Sequence, residues 1–331
     1  MGTRIKLEPW TTDIAHFWNV DEKEEENVEL LENWGEVENK DIAIKNAMSS
    51  HKISFIDGTR RLDTFSQIYS EKLNSSLPVT SAFLSISAGY FTTPTLKLET
   101  KLKRYFVVLT NEKIIDTDTI SVSNNLNYTV EYVRKFRKDE TPHESIEKYS
   151  NDLMRKIEFE LLPLSVRDSD FVVIDGNFPS YEVVKNIRKD DIRKILAHVK
   201  SLHVIYTELD KLYTLKPLER SPIFRIDRKK DNTFSIYSWY VKHKIERPKN
   251  HLSDISDISR FEIISDKDEK LENLKYIAEM SRFIVGFFSY VHGGRAPQNL
   301  PPVAFLEKNI YRLLGSKEII FRSIADYLSK Q

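Results

Sequence analysis

Hydrophobic positions along the chain fall into two periods. Short apolar runs bounded by polar residues or glycine mark strands at His51 to Asp57 (HKISFID), Ser81 to Phe91 (SAFLSISAGYF), Leu102 to Leu109 (LKRYFVVL) and Phe171 to Ile174 (FVVI). Between the third and fourth runs the spacing changes. After Pro142, Ile146, Tyr149, Leu153, Ile157 and Leu161 recur every three or four residues, which defines one apolar face of a helix. Further on, Tyr181 to Ile187 predicts a helix, while Ile192 to Val204, Ile223 to Ile226, Thr233 to Val241 and Arg260 to Ile264 predict strands. Residues 247–258 are polar and loop-like, and Leu271 to Tyr290 reads as a buried helix. Pro301 to Leu314 carries Val303, Leu306, Ile310, Leu313 and Leu314 on one side, with Gly315 where a left-handed cap belongs.

Three strands in succession imply an antiparallel meander, and the later alternation of helix and strand implies a mixed α/β sheet with helices on its faces. No internal repeat or low-complexity linker divides residues 46–331, which read as one domain with insertions. Residues 1–45 form an N-terminal arm, in which the run Asp21-Glu22-Lys23-Glu24-Glu25-Glu26 predicts a solvated helix or a partner-binding segment. Trp10, Phe17, Trp18, Leu30, Leu31 and Trp34 lie in this arm. They fit a docking element for a partner or packing back onto their own domain.

Composition narrows the chemistry. Among 331 residues, Lys plus Arg and Asp plus Glu are both 50, so any nucleic-acid surface must be a local patch. Cysteine is absent, which removes disulfides and thiolate metal sites and leaves oxygen or imidazole ligands, favouring magnesium or manganese. No segment has the length and apolarity of a signal peptide or a membrane span, so the expectation is a soluble, cytoplasmic protein with no membrane partner. Abundant Lys, Ile, Glu and Tyr resemble the composition of a thermophile's protein.

Two strands end on the same dipeptide: Phe171-Val172-Val173-Ile174-Asp175-Gly176 and Phe55-Ile56-Asp57-Gly58. Asp-Gly is a common turn, but an apolar run ending on aspartate also delivers a carboxylate to the open end of a buried strand. On this pattern Gly58 stops the first strand, and Thr59-Arg60-Arg61-Leu62-Asp63 follows as a basic loop. In the ribonuclease H-like architecture, strands one and four of a meander-helix-strand unit are neighbours, and the intervening helix contributes a third carboxylate. Glu158 and Glu160 in MRKIEFELL are the candidates. Carboxylates so clustered repel, and two divalent ions would relieve the repulsion while activating water and stabilising the leaving oxygen of a phosphodiester.

FIDGTRR, then MRKIEFELL ahead of FVVIDGNF, then LAHVKS, SRFEII and RAPQNLPPVAFLEKNIYRLLG resemble, in that order, the sequence blocks of the NurA nuclease family over residues 51–316. The resemblance implies a ribonuclease H/PIWI-like fold, manganese-dependent 5′-to-3′ exonuclease and endonuclease activity on DNA, a homodimer, and docking on the hexameric ATPase HerA in end resection for recombinational repair. It matches Asp57 to the first catalytic and metal-binding aspartate, Glu158 to the helix glutamate and Asp175 to the second aspartate. The C-terminal block departs from the family pattern, placing Asn299 at a usual tyrosine and Glu307 at a usual histidine. Glu307 is then either a further hard-cation ligand or a surface residue of a weakened paralogue.

Arg60, Arg61, Lys200 and Arg295 are the expected DNA contacts, although Lys200 could equally snorkel to solvent. His198, His203 and His292 are left out of the core site, a lone histidine being more often structural. Two further readings stay open beside the DNA nuclease: a non-catalytic, DNA-binding adaptor of the ATPase complex, and a ribonuclease H-like hydrolase acting on RNA. Convergence of Asp57, Glu158 and Asp175 separates the enzyme from the adaptor.

Overall fold

The computed structural model describes residues 4–7, 26–39, 51–70, 78–134, 140–178, 187–200, 202, 204–228, 234–244, 257–288 and 298–331. Residues 181–186 of the expected helix, His203, His292, Arg295, Trp10, Phe17, Trp18 and most of the acidic run lie outside them.

In chain order the strands are β1 Arg4–Leu7, β2 Glu26–Leu30, β3 Ile53–Tyr69, β4 Val79–Thr93, β5 Lys97–Val108, β6 Thr119–Ser123, β7 Leu126–Tyr132, β8 Phe171–Asp175, β9 Ile195–Val199, β10 Phe224–Arg228, β11 Phe234–Lys242 and β12 Ile258–Asp266. The helices are α1 Pro142–Asp168, the short α2 Lys189–Ile192 and α3 Leu209–Thr214, then α4 Leu271–Phe288, α5 Pro301–Leu313 and α6 Lys317–Ser329. All strands join one mixed sheet in the order β2-β10-β11-β12-β9-β8-β3-β4-β5-β7-β6, with β1 added beside β3. The expected mixed α/β sheet flanked by helices is therefore present. Its centre, β5-β4-β3-β8-β9, has only β4 running against the others, which is the ribonuclease H-like arrangement.

The two faces of the sheet explain the two sequence periods. On one face α1 lays Ile146, Leu153, Ile157 and Leu161 over Ile56, Leu84, Ile86 and Ile174. Thr141 and Glu144 start α1 with a reciprocal capping box, and Pro142 takes the first turn, where its missing N–H costs nothing. Each such fully buried aliphatic side chain contributes about 1.5–3 kcal/mol. On the opposite face α4 and the start of α5 cover Phe55, Val173, Trp239 and Phe261. Being covered on both faces, β4 reads as a continuous small and apolar run rather than an alternating one.

Three local expectations are corrected. Gly58 does not stop the first strand: β3 continues unbroken through Asp57, Gly58, Arg60 and Arg61 to a bulge at Asp63, paired with β4 throughout. The expected basic loop is therefore strand. At Glu26–Leu30, where the charge run predicts a solvated helix or a partner arm, the chain is an edge strand paired antiparallel with β10. Beyond it, Glu32 is buried and ion-pairs with Arg220 at 2.7 Å, and Trp34 packs against the α1-side core. After Gly315, where the sequence pattern predicts no further element, Lys317–Ser329 form α6. Its Ile320, Ile324 and Leu328 pack on Ile68, Phe83 and Phe106. Among the described residues no helix is long and apolar enough to cross a membrane.

Two fully buried histidines give the fold an acid-sensitive element. His198 stacks on Phe261 with ring centroids 4.8 Å apart, and burial depresses its pKa from 6.5 to about 3. His243, also fully buried, bonds to Ser259 Oγ at 2.8 Å and is held well below 6.5 by burial. Because the folded values lie below the unfolded one, their stabilising share is complete above pH 6.5 and is lost as pH falls toward the folded value. A His198→Phe protein, which keeps the stacked ring, should lose about 2 kcal/mol less than the parent between pH 7.5 and pH 5. Urea unfolding at the two pH values reads this difference, and equal losses would rule it out.

Candidate metal centre

The site forms where β8 ends and β3 continues. Ile53 to Ile56 of β3 pair with Phe171 to Ile174 of β8, so Asp57 and Asp175 emerge in register from adjacent parallel strands. On that same edge β3 next pairs with β1, at Ser66 to Tyr69, so among the described residues no strand pairs with this edge between Asp57 and Phe65. Side chains alternate along a strand, so Asp57 and Asp175 share the face of Phe55 and Val173, the one covered by α4 and α5. Crevices outside the carboxyl ends of parallel strands are where ligands meet open α/β sheets.

Helix α5 brings the third carboxylate. Its Leu306 and Ile310 sit against Phe91 of β4. They can do so because the cross-strand partner of Asp57 is Gly89, where an added Cβ would stand 3.0 Å from Ile310, 3.1 Å from Leu306 and 2.8 Å from the Glu99 carbonyl. With α5 seated this closely, Asp57, Asp175 and Glu307 each place an oxygen so that all three lie within 4.8 Å of one another. Glu307 is half-buried here, with its carboxylate turned into this group of three.

Glu158 approaches from the other face. Its carboxylate occupies the space a side chain at position 58 would need, with Cδ 3.2 Å from where that Cβ would lie. It is 3% exposed, and Arg155 Nη1 donates to it at 2.8 Å and to the Asp175 carbonyl at 2.7 Å. It stands beside the tight cluster of three and is not a member of it. Glu160, the other helix candidate, points away and pairs with Lys103 at 2.7 Å and Lys101 at 3.4 Å. Arg155 and Gly89 were not singled out from the sequence. The glycine inside the apolar SAGYF run was the available signal, since a strand-interior glycine marks a close approach.

The electrostatics are those of an anion cluster. Asp57 is 8% exposed, and burial, then Asp175, Glu158 and Glu307, drive its pKa well above 3.8 against the pull of Lys200. Burial likewise raises Glu158, with Arg155 opposing. Lys200 Nζ ion-pairs with Asp175 Oδ2 at 2.8 Å and donates to Asn299 Oδ1 at 3.2 Å, so this lysine faces the site and not open solvent. Asp175 Oδ1 is buried without a hydrogen-bond partner among the described residues. An orphaned carboxylate oxygen among converging carboxylates, with no softer donor in the set, fits a hard divalent cation.

The expected DNA contacts fare differently. Arg60 lies beside α1, bonded to Asn151 Oδ1 at 2.6 Å and Glu147 at 3.0 Å. Arg61 is 9% exposed and turned inward, with Nε on Asp63 at 2.9 Å and its terminal nitrogens on the carbonyls of Gly315 and Leu314 at 2.6 and 3.0 Å. Its expected place on an open DNA-binding surface is corrected accordingly.

No protein-family profile matches the chain, and no curated protein does. Among solved structures, the NurA nuclease from Sulfolobus solfataricus is similar over 85% of this chain and 85% of that one, with 11% identity and a TM-score of 0.44. At that identity and score the likeness carries no chemistry, which rests here on the side chains themselves.

Proposed function

We propose that this chain is a metal-dependent DNA nuclease that hydrolyses phosphodiester bonds at the Asp57–Asp175–Glu307 cluster. The observation that carries the reading is the convergence of three carboxylates from β3, β8 and α5 within 4.8 Å, with an unpartnered buried oxygen on Asp175. Asp57, Asp175 and Glu307 would hold the cation or cations, and Glu158 flanks them from the far face of the sheet. Bound there, two divalent ions, manganese or magnesium, supply water activation and neutralise charge at the phosphorus. The chain's own residues orient the reaction. Lys200 presents an ammonium beside Asp175, within reach of a phosphate oxygen drawn to the site. Arg155 fixes Glu158 and the β8 terminus with one side chain.

The ordered sequence blocks support the finer parts of the proposal: 5′-to-3′ exonuclease and endonuclease action, a homodimer, and service to a HerA-type hexameric ATPase in resecting DNA ends. Arg60, Lys200 and Arg295 remain the proposed DNA contacts. In the test, labelled single- and double-stranded DNA is incubated with the purified protein and Mn2+, then with chelator, then with the Asp175→Asn protein. Cleavage that needs Mn2+ and is lost in Asp175→Asn is the expected result. Equal cleavage by parent and variant would refute the site, and DNA binding without cleavage would favour an adaptor subunit.

A further inference from the structure

We propose that Arg61, with Asp63, is a positioning residue for Glu307: it grips the C-terminus of α5 from β3 and so sets where along the strand the helix presents its carboxylate. The inference rests on reading Asp57, Asp175 and Glu307 as a cation site.

The argument starts at the bulge in β3. Asp63 is 2% exposed and accepts from Arg61 Nε at 2.9 Å, Ser85 Oγ at 2.6 Å and the Tyr128 hydroxyl at 3.0 Å. A buried carboxylate so satisfied is a fixed anchor, and it locks the plane of the Arg61 guanidinium. The two terminal nitrogens of that guanidinium then donate to the carbonyls of Gly315 and Leu314. Carbonyls at a helix C-terminus lack intrahelical partners and carry the negative end of the helix dipole, so a buried guanidinium is a matched cap. Arg104 adds a longer contact to the Leu314 carbonyl at 3.5 Å. Gly315, at φ +78°, turns the chain out of the helix at this point.

The spacings along strand and helix agree. Asp57 and Arg61 are four strand residues apart, about 13 Å at roughly 3.3 Å per residue. Glu307 and Leu314, the C-cap whose carbonyl is gripped, are seven residues apart along α5, about 11 Å at 1.5 Å per residue. Helix and strand therefore run alongside each other with Glu307 level with Asp57 and the helix end level with Arg61. At the other end of α5, Gln298 Nε2 is bonded to the Ile258 carbonyl at 2.7 Å. The Leu306 and Ile310 contacts over Gly89 hold the helix down on the sheet, but apolar contacts slide more readily than a forked polar grip. Arg61 is what resists motion along the axis.

The Arg61→Lys protein tests this. Lysine keeps a positive charge beside Asp63 but cannot present parallel donors to two carbonyls. Mn2+ affinity is measured by titration calorimetry without DNA, and kcat and KM are measured on labelled DNA. Mn2+ binding is expected to weaken about ten-fold, at the lower end of what orienting partners of metal ligands show. kcat is expected to fall with KM for DNA unchanged, and adding Arg61→Lys to Glu307→Gln is expected to weaken Mn2+ binding no further. Parent-like Mn2+ affinity, a loss that multiplies with that of Glu307→Gln, or a rise in KM alone would overturn the proposal, the last pointing to a DNA contact. If Arg61→Lys fails to fold, the paired Arg61→Met/Asp63→Asn protein, which removes both buried charges together, is read by the same titration. A parent that binds Mn2+ without cutting DNA sinks the nuclease reading and leaves the titration to decide on Arg61. A parent that binds no Mn2+ sinks both.

Discussion

The Asp57→Asn protein is expected to lose DNA cleavage by about 10³-fold while its metal-free form is no less stable than the parent. The loss follows from removing one ligand of the proposed site, where the charge stabilisation a divalent ion supplies is worth several kcal/mol, at 1.36 kcal/mol per factor of ten. The stability half follows from the sign of the pKa shift. Burial and the neighbouring carboxylates raise Asp57 well above 3.8 in the folded chain. Below pH 3.8 both states hold the proton and the group costs nothing. As pH rises from there through the folded value, the unfolded chain gives up its proton first, and the metal-free fold loses stability. An amide at position 57 is neutral at every pH and escapes that loss. Thermal melts at pH 7.5 should therefore show the metal-free variant at or above the parent, and Mn2+ should raise the parent's Tm more than the variant's. A variant that melts well below the parent without metal, or that cuts DNA at the parent rate, would contradict this account of Asp57.

Features written within a single element are legible in the sequence, and so is the adjacency of the two aspartate-ending strands, which follows from the meander-helix-strand order; the other features made by two elements meeting are not. The FVVID run ending at Asp175, the apolar face of α1 and the meander of β3, β4 and β5 are local patterns, and the structure repeats them. Gly58 shows the other case. Asp-Gly ordinarily turns the chain, yet here the glycine sits inside a paired strand because Glu158 fills the space of its side chain. Nothing within FIDGTRR records a helix approaching from the far face. Reading a turn there also made a loop of the residues after it, and so gave Arg61 to solvent when it is buried against α5. Glu307 could be placed on a helix from its spacing, but its closeness to Asp57 depends on Gly89 letting α5 down onto β4. For α6 the signal was available: Ile320, Ile324 and Leu328 recur at four-residue spacing directly after Gly315. The strands β1 and β2 are four and five residues long, and the charged pattern around β2 resembles a solvated arm more than a sheet. Their pairing is supplied by the exposed edges of β3 and β10, far away in sequence.

The same meeting of two elements makes Gly58→Ala a severe substitution for so small a change. Gly58 is not among the residues with positive φ, so alanine fits its backbone, and in an open strand the change would stabilise by about 0.5–1 kcal/mol. Here the added methyl would stand 2.7 Å from Met154 Cγ, 3.2 Å from Glu158 Cδ and closer still to its Oε1. Met154 and Glu158 lie on adjacent turns of α1, so the methyl presses on both at once, and the carboxylate, as the freer end, gives way. Its displacement breaks the 2.8 Å contact with Arg155, which also holds the Asp175 carbonyl. A shift of about 1 Å in such a support is enough to cost about 10²-fold in turnover. Asp57, Asp175 and Glu307 lie on the opposite face of the sheet, so Mn2+ affinity should change far less than the rate. The Glu158→Gln protein should show a similar loss, and adding Gly58→Ala to it should cost little more, because both act on one side chain. Cleavage by Gly58→Ala at the parent rate would remove Glu158 from the machinery. Losses that multiply in the double variant would mean that the methyl acts through the strand itself and not through Glu158.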